Sequence, residues 1–282
     1  MTLAPIEVTL PNVSVPTGVL FAQLQQERED VVRGLYEIEL HNGTGGEVDI
    51  ARASISWDGF NTSPPNTGGT KIATQAIISL PVAFNGAHCS GDGSAASMPS
   101  TDTATVSVTY DDGTTAVVPV ADVAGILAKL YVADCERQQI EKLVKVSLID
   151  FQDVTVNGLP RIEATLHFER AAATGVVRLI DTKGSVIFTL APLNTPSSPM
   201  LTLAPGQQSA DLAVSINEAK CEDHAFAETK QPFLFVLTLD PGDGIEHGYN
   251  ISPDVAVQPH LFDTAINACK IKNGTITSFP TA

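Results

Sequence analysis

Short segments in which apolar and polar residues alternate run along most of this 282-residue chain. A period of two places the apolar side chains on one face of a β-strand, and these segments are rich in β-branched and aromatic residues. In the second half of the chain the segments cover residues 146–156, 161–170, 175–182, 185–192, 209–216 and 232–240. In the first half they cover residues 6–10, 35–42, 47–57, 71–80 and 104–110. The pattern predicts about seven short strands in each half.

Turn-forming residues separate these segments. Asn157-Gly158 and Lys183-Gly184 each lie between two strand-like segments, and both pairs predict tight hairpins. Residues 194–199 and 204–208 break the alternation and predict loops. The chain contains 21 Gly and 18 Pro among 43% hydrophobic residues, a composition that favours many short strands over long helices.

The two halves of the chain present the same features in the same order. Leu40-His41 at the end of one strand-like segment corresponds to Leu166-His167, 126 residues later. The cysteines repeat at offsets of 132 and 134 residues, so the copies differ by small insertions of the size that surface loops tolerate. Two halves of about 140 residues are also close to the commonest domain size. We therefore expect a tandem repeat, with domains at residues 1–144 and 145–282.

Two segments have helical features. Residues 21–32 contain good helix formers, but the repeat aligns them with the strand-like residues 147–158, so we predict a strand there. Within residues 123–135, the apolar side chains have the spacing of one helix face, which predicts a short helix or helical turn. Its counterpart in the second half is residues 259–269.

Seven short alternating strands are typical of two antiparallel sheets packed face to face. We predict an all-β chain of two tandem immunoglobulin-like antiparallel β-sandwich domains, each with one intradomain disulfide and a short helical turn. The likeness is one of architecture, because the antibody signature is absent. Trp57 precedes all four cysteines, and Ala133 and Asn267 stand where antibody domains carry a tyrosine, two residues before the second cysteine.

The four cysteines fall into two pairs, Cys89 with Cys135 and Cys221 with Cys269. Neither pair has the close C-x-x-C spacing of metal sites, which favours structural disulfides. His88 and His224 lie near the first cysteine of each pair, so a metal site is the alternative if the disulfides do not form. A disulfide closing a loop of about 47 residues stabilises a domain by roughly 4 kcal/mol, and it persists only in an oxidising compartment.

Cysteine use therefore indicates an extracellular or cell-envelope protein. The N-terminal residues MTLAPIEVTLPN lack the basic start and apolar core of a signal peptide, so we expect the signal segment to be absent from this chain and Met1 to be an addition. In cysteine placement, asparagine-rich early strands and the apolar segment before the last cysteine, the chain resembles secreted or lipid-anchored actinobacterial proteins with tandem immunoglobulin-like domains. That resemblance implies no activity.

Charge excludes some partners. Thirty-two acidic residues against 16 basic residues give a net charge of −16, and such a surface repels nucleic-acid phosphates and anionic lipids. No apolar run approaches the roughly 20 residues that cross a bilayer, so we expect no direct membrane insertion.

Catalytic motifs such as G-x-S-x-G, H-E-x-x-H and the Walker phosphate loop are absent from the sequence, and we predict no catalytic residue and no cofactor. His41 and His167 occupy equivalent repeat positions, which suggests a shared structural role. A weak candidate for a calcium site lies in the segment DPGDGIEH, because carboxylates on a glycine-bent loop suit a hard cation. Its ligands would be Asp240, Asp243 and Glu246. A hairpin explains the same residues without an ion, so we expect no metal.

Residues 59–69 and 88–102 are long polar loops, where binding surfaces on a rigid sandwich usually lie. The leading hypothesis is a noncatalytic extracellular or cell-envelope protein that binds an unknown protein partner at the cell surface or acts as a spacer. The alternative is a carbohydrate- or small-ligand-binding module, for which the 6% aromatic content is low. An enzyme is a third hypothesis, and it requires carboxylates and histidines clustered in a cleft.

Overall fold

A computed structural model describes residues 16–89, 98–171, 175–194 and 198–273. Within these residues the protein is mostly β-sheet, with a few helices and two disulfides. The chain divides into two compact units, residues 1–135 and 136–282. The strand predicted at residues 6–10 and most of the loop predicted at 88–102 lie outside the described residues.

The first unit contains one sheet of seven strands, in the order β4-β3-β6-β7-β1-β2-β5. Its elements are β1 (Leu20–Gln25), α1 (Arg28–Arg33), β2 (Leu35–Asn42), β3 (Val48–Ser56), β4 (Thr70–Ile72), β5 (Ile77–Ala83), β6 (Thr105–Tyr110) and β7 (Thr115–Ala121). The end of β7 pairs in parallel with β1, and the other neighbours are antiparallel. The prediction of purely antiparallel sheets is therefore wrong for the first unit. Strand β7 is antiparallel to β6 on one side but parallel to β1 on the other.

The second unit contains two four-stranded sheets, β11-β13-β9-β8 and β12-β10-β14-β15. Its strands are β8 (Val144–Val156), β9 (Leu159–Arg170), β10 (Val177–Lys183), β11 (Phe188–Pro192), β12 (Leu201–Leu203), β13 (Ser209–Glu218), β14 (Phe235–Asp240) and β15 (His247–Ile251). Its helices include α3 (Asp223–Glu228) and α4 (Gln258–Asn273). Buried residues from both sheets and from α4 form one hydrophobic cluster, so the core of this unit lies between its sheets.

The two units share their order of strand pairing. In each unit a first hairpin is extended by a third strand, as β1-β2-β5 in the first and β8-β9-β13 in the second. The remaining strands of the first unit run β4-β3-β6-β7, and those of the second run β12-β10-β14-β15 in the matching order. Strand β11 has no counterpart among the described residues of the first unit.

The chain is mostly β-sheet, as predicted, but its helices exceed the short helical turns that were predicted. Helix α2 covers Ile126–Leu143 and α4 has 16 residues, so both are longer than the helical turns expected. The division between the units falls inside α2. The strand predicted at residues 21–32 ends at Gln25, and helix α1 begins at Arg28. Gly34 ends α1 in the left-handed conformation, with φ of 64°.

The two predicted tight hairpins have different outcomes. Asn157 and Gly158, with φ of 54° and 78°, form the two-residue turn that joins β8 to β9, as predicted. The hairpin predicted at Lys183-Gly184 is wrong, because β10 and β11 belong to different sheets. The single strand predicted at 71–80 is also wrong, since it divides into parts of β4 and β5.

Candidate functional site

A pocket of 290 Å³ lies in the first unit, where the chain leaves β3 at Trp57 and folds back along the same strand. We call it the Trp57 pocket. Its polar lining consists of hydroxyl and amide side chains, namely Ser54, Ser56, Asn61, Thr62 and Ser63. Its apolar lining is formed by Ile55, Trp57, Phe60 and Pro65. No lining residue is ionisable.

Backbone hydrogen bonds hold the loop in this position. Asn66 exchanges two of them with Ala53 of β3, with N–O distances of 2.8 and 3.0 Å, which turns the loop back onto the strand. On its other side the loop is bonded to residues 85–88. The Asn61 N–H donates to the Gly86 carbonyl at 2.9 Å, and the His88 N–H donates to the Gly59 carbonyl at 2.9 Å.

Side-chain amides add to this attachment. Asn61 Nδ2 donates to the Asn85 carbonyl at 3.0 Å, and Asn85 Nδ2 donates to the Thr62 carbonyl at 2.9 Å. Asparagine side chains often satisfy loop backbone groups in this way. The loop around the pocket is therefore bonded on both sides before any ligand binds.

An aromatic cluster lies beneath the pocket. Trp57 and Phe60 are 5% and 6% exposed, and their rings meet edge to face with centroids 4.8 Å apart. Phe60 also contacts Phe84, and Trp57 contacts Tyr131 of α2. Gly59 leaves room for this packing, because a Cβ atom there would overlap the Trp57 ring. Rings packed on several sides hold the apolar wall of the pocket rigid.

Helix α2 and a disulfide anchor residues 87–89, which adjoin the loop of the Trp57 pocket. Tyr131 Oη donates to the His88 carbonyl at 3.0 Å, and the Ala87 N–H donates to Asp134 Oδ2 at 2.9 Å. Cys89 is joined to Cys135 of α2 by a disulfide. The disulfide therefore lies next to residues 85–88, to which the loop of the Trp57 pocket is hydrogen-bonded.

Tyr36 lies buried behind Ser63 of the pocket lining. Its side chain is fully buried, and its hydroxyl has no hydrogen bond of good geometry among the described residues. Burial raises the pKa of Tyr36 above its ordinary value, and the neighbouring Ser63 side chain partly offsets this effect. A buried hydroxyl without a full partner is uncommon in folded proteins.

In the second unit the disulfide joins Cys221, which follows β13, to Cys269 of α4. The first-unit disulfide has the same relation to its elements, since Cys89 follows β5 and Cys135 lies in α2. All four cysteines are thus used in these two disulfides. The alternative of a metal held by these cysteines with His88 or His224 is not available while the disulfides are formed.

In the turn that contains the candidate calcium ligands, the two aspartates accept hydrogen bonds from other groups of the protein. Asp240 Oδ1 accepts the N–H groups of Gly242 and Gly244 at 2.7 and 3.1 Å, and Oδ2 accepts from Arg178 at 2.7 Å. Burial opposes ionisation of Asp240, but these donors more than offset it and hold its pKa below the ordinary value. Asp243 Oδ1 accepts the Ile245 N–H at 2.9 Å, and Glu246 is exposed. The calcium site stays a prediction, and the turn has the bonds of a hairpin.

The described residues contain no group of three or more His, Cys, Asp or Glu side chains placed to hold a metal ion. The nearest approach to a cluster is in the second unit, around the buried His247. Its Nε2 lies 3.3 Å from Asp243 Oδ2, and its Nδ1 lies 3.5 Å from Glu136 Oε1. Carboxylates therefore face both ring nitrogens, and Nδ1 is buried without a hydrogen bond among the described residues.

The two repeat-equivalent histidines also pair with carboxylates. His41 is 6% exposed and contacts Glu39 through Nε2, while its Nδ1 is buried. His167 contacts Asp211 at 2.6 Å through Nδ1, across β9 and β13. Their shared structural role stays a prediction.

Ser147 stands opposite His167 in the β8–β9 register, so serine, histidine and aspartate form a row across three strands. No hydrogen bond links Ser147 to His167 among the described contacts. Strand β9 is paired on both sides, and its N–H groups are used in the sheet rather than directed at a substrate oxyanion. The row therefore lacks two requirements of a serine hydrolase.

No protein-family model matches the chain, and no curated protein matches it significantly. Among solved structures, the chain is similar to the D0-D1 domain of intimin at 9% identity and a TM-score of 0.19, covering 83% of this chain and 97% of that one. It is similar to the BSP domain of a biofilm associated protein at 7% identity and a TM-score of 0.22, covering 89% and 62%. It is also similar to the exo-chitosanase CsxA of Amycolatopsis orientalis at 13% identity and a TM-score of 0.20, covering 83% and 26%.

Similarities this weak identify no family and support no argument about function. In the part of the chain that the structure describes, no helix combines the length and the apolar character needed to cross a membrane.

Proposed function

We propose that the chain is a noncatalytic extracellular or cell-envelope protein that binds a protein partner at the cell surface or serves as a spacer. It consists of two tandem immunoglobulin-like β-sandwich domains, copies at residues 1–144 and 145–282. The shared order of strand pairing in the two units supports the duplication.

The observation that carries this proposal is the equivalent placement of the two disulfides. Each joins the segment after the strand that extends the first hairpin, β5 or β13, to a long helix, α2 or α4, and each lies within one unit. Disulfides that persist at matching positions in both copies indicate an oxidising compartment.

The test is the thiol state of the protein in cells of its source organism. Cells are treated with a maleimide reagent before lysis, the envelope and cytosolic fractions are separated, and the mass of the recovered protein is measured. We expect the protein in the envelope or medium with no labelled cysteine. Reduction before labelling should add four labels, since the chain has four cysteines. Recovery from the cytosol with four labels would contradict the proposal.

A second candidate function is the binding of a small ligand or carbohydrate. The Trp57 pocket favours it, because a concave site lined by both apolar residues and uncharged polar residues is a common form of a small-molecule site. Its 290 Å³ is just below the roughly 300–1,000 Å³ common for such sites.

A further inference from the structure

We propose that the Trp57 pocket binds one neutral sugar residue, either free or at the end of a glycan. This inference rests on the second candidate function and specifies its ligand. It assigns a binding role to the loop at residues 57–65 and to Ser54 and Ser56 of β3.

The charge of the pocket excludes ionic ligands. None of its lining residues is ionisable, so a charged ligand would lose its hydration without gaining a counter-charge. The net charge of −16 on the whole chain further disfavours anions. The ligand is therefore neutral.

The polar groups of the pocket exclude a purely apolar ligand. Ser56 and Thr62 of the lining are exposed, and an apolar group would cover their hydroxyls without replacing their bonds to water. A sugar ring offers hydroxyl groups that both donate and accept. The size of the pocket fits a single sugar ring better than a longer segment of glycan.

The apolar part of the lining matches the other property of a sugar. The C–H groups of a sugar ring are apolar, and they can pack on Ile55 and Pro65 of the lining, beneath which lie the buried rings of Trp57 and Phe60. Because these rings are held by Phe84 and Tyr131, they need no rearrangement to receive a ligand. The loop is also bonded to residues 85–88 in advance.

Trp57 is the single tryptophan of the chain, so its fluorescence reports binding at this pocket directly. The purified oxidised protein is titrated with the methyl glycosides of glucose, galactose, mannose and N-acetylglucosamine, and with glucosamine and glucuronic acid as charged probes. Titrations extend to about 10 mM, which covers weak millimolar binding. We expect a saturable change in Trp57 emission with at least one neutral sugar, and binding about tenfold weaker or absent for the charged probes.

Variants then locate the site. Ser56 and Thr62 are exposed, so Ser56→Ala with Thr62→Val removes two hydroxyls from the lining without disturbing the core. Loss of two hydrogen bonds is expected to weaken binding about tenfold. Ser209→Ala with Thr155→Val makes the same changes on exposed strand positions of the second unit and should leave binding unchanged.

Far-UV circular dichroism confirms that both double variants are folded. No saturable response to any neutral sugar would overturn the proposal, as would equal binding by the pocket variant and the wild type, or equal binding of charged and neutral probes. The thiol state of the protein in cells is measured independently of sugar binding. A failure of the sugar titration would therefore leave the extracellular assignment standing. A failure of the thiol-labelling experiment would leave the sugar-binding proposal standing.

Discussion

Gly184 connects β10 to β11 at a point where the backbone of the next strand comes very close. A Cβ atom at this position would overlap the Phe188 carbonyl oxygen and the backbone of Thr189. Since backbone atoms cannot move aside cheaply, we expect Gly184→Ala to lower the free energy of unfolding by about 1–3 kcal/mol. Urea unfolding followed by circular dichroism measures the change.

Gly248→Ala in β15 is the matched control for this prediction. A Cβ atom at Gly248 meets only a Val236 methyl group, at 4.0 Å, so its effect should stay within about 0.5 kcal/mol. Equal destabilisation by the two substitutions would show that close approach at Gly184 is not the cause.

At the residue scale, local rules predicted some features and missed others. Asn157-Gly158 was recognisable because both turn residues need positive φ, and those residue types adopt it readily. Lys183-Gly184 looked the same in the sequence, but its glycine allows a close crossing between two sheets. A glycine between two strands is compatible with either arrangement, and only the pairing of distant strands decides between them.

Helix α2 depends on a cap that lies outside it. Asp122 Oδ1 accepts the Ile126 N–H at 2.6 Å, and Oδ2 accepts the Leu127 N–H at 2.9 Å. Asp122→Ala leaves these two donors without their acceptor, so we expect it to lower the free energy of unfolding by about 1 kcal/mol. Thermal and urea unfolding by circular dichroism provide the measurement.

Asp111→Ala removes the same charge from an exposed turn of the same unit and should have little effect. Asp122→Asn retains one side-chain oxygen and should fall between the wild type and the alanine variant. The cap would have no role in stability if Asp122→Ala and Asp111→Ala unfolded at the same urea concentration.

At the scale of elements, long alternating segments were predicted well and short or irregular ones were not. Strand β9 and the second half of β13 bury every second side chain, which is the signal that the sequence carries. Strand β12 has three residues, too few to show a period. Helix α2 continues past the predicted end at Cys135 to Leu143, through residues that are good helix formers.

The Trp57 pocket was also predicted only in part. The composition of residues 59–69 indicated a binding loop, and this loop forms part of the Trp57 pocket. The pocket itself could not be predicted, because its shape depends on contacts distant in sequence. The bond from Asn61 to Gly86 and the packing of Trp57 on Tyr131 are examples. Trp57 carried no signal of its own, since a lone tryptophan after a strand is most often a core residue.

At the scale of the whole molecule, each unit contains one closed loop of similar length. The bonded cysteines are 46 residues apart in the first unit and 48 in the second. In the chain-entropy account, a cross-link stabilises a fold by restricting the unfolded chain, and the gain depends on loop length. The two disulfides are therefore expected to contribute about equally, each to the unit that contains it.

This equality can be tested with two paired variants, Cys89→Ser with Cys135→Ser and Cys221→Ser with Cys269→Ser. Each is expected to cost about 2–4 kcal/mol in urea unfolding. Trp57 lies in the first unit, so its fluorescence follows that unit, while circular dichroism follows both. Loss of the first disulfide should lower the midpoint of the Trp57 transition more than loss of the second, because Cys89 adjoins the segment bonded to the Trp57 loop. Equal shifts of that transition in both variants would contradict the assignment of each disulfide to the stability of its own unit.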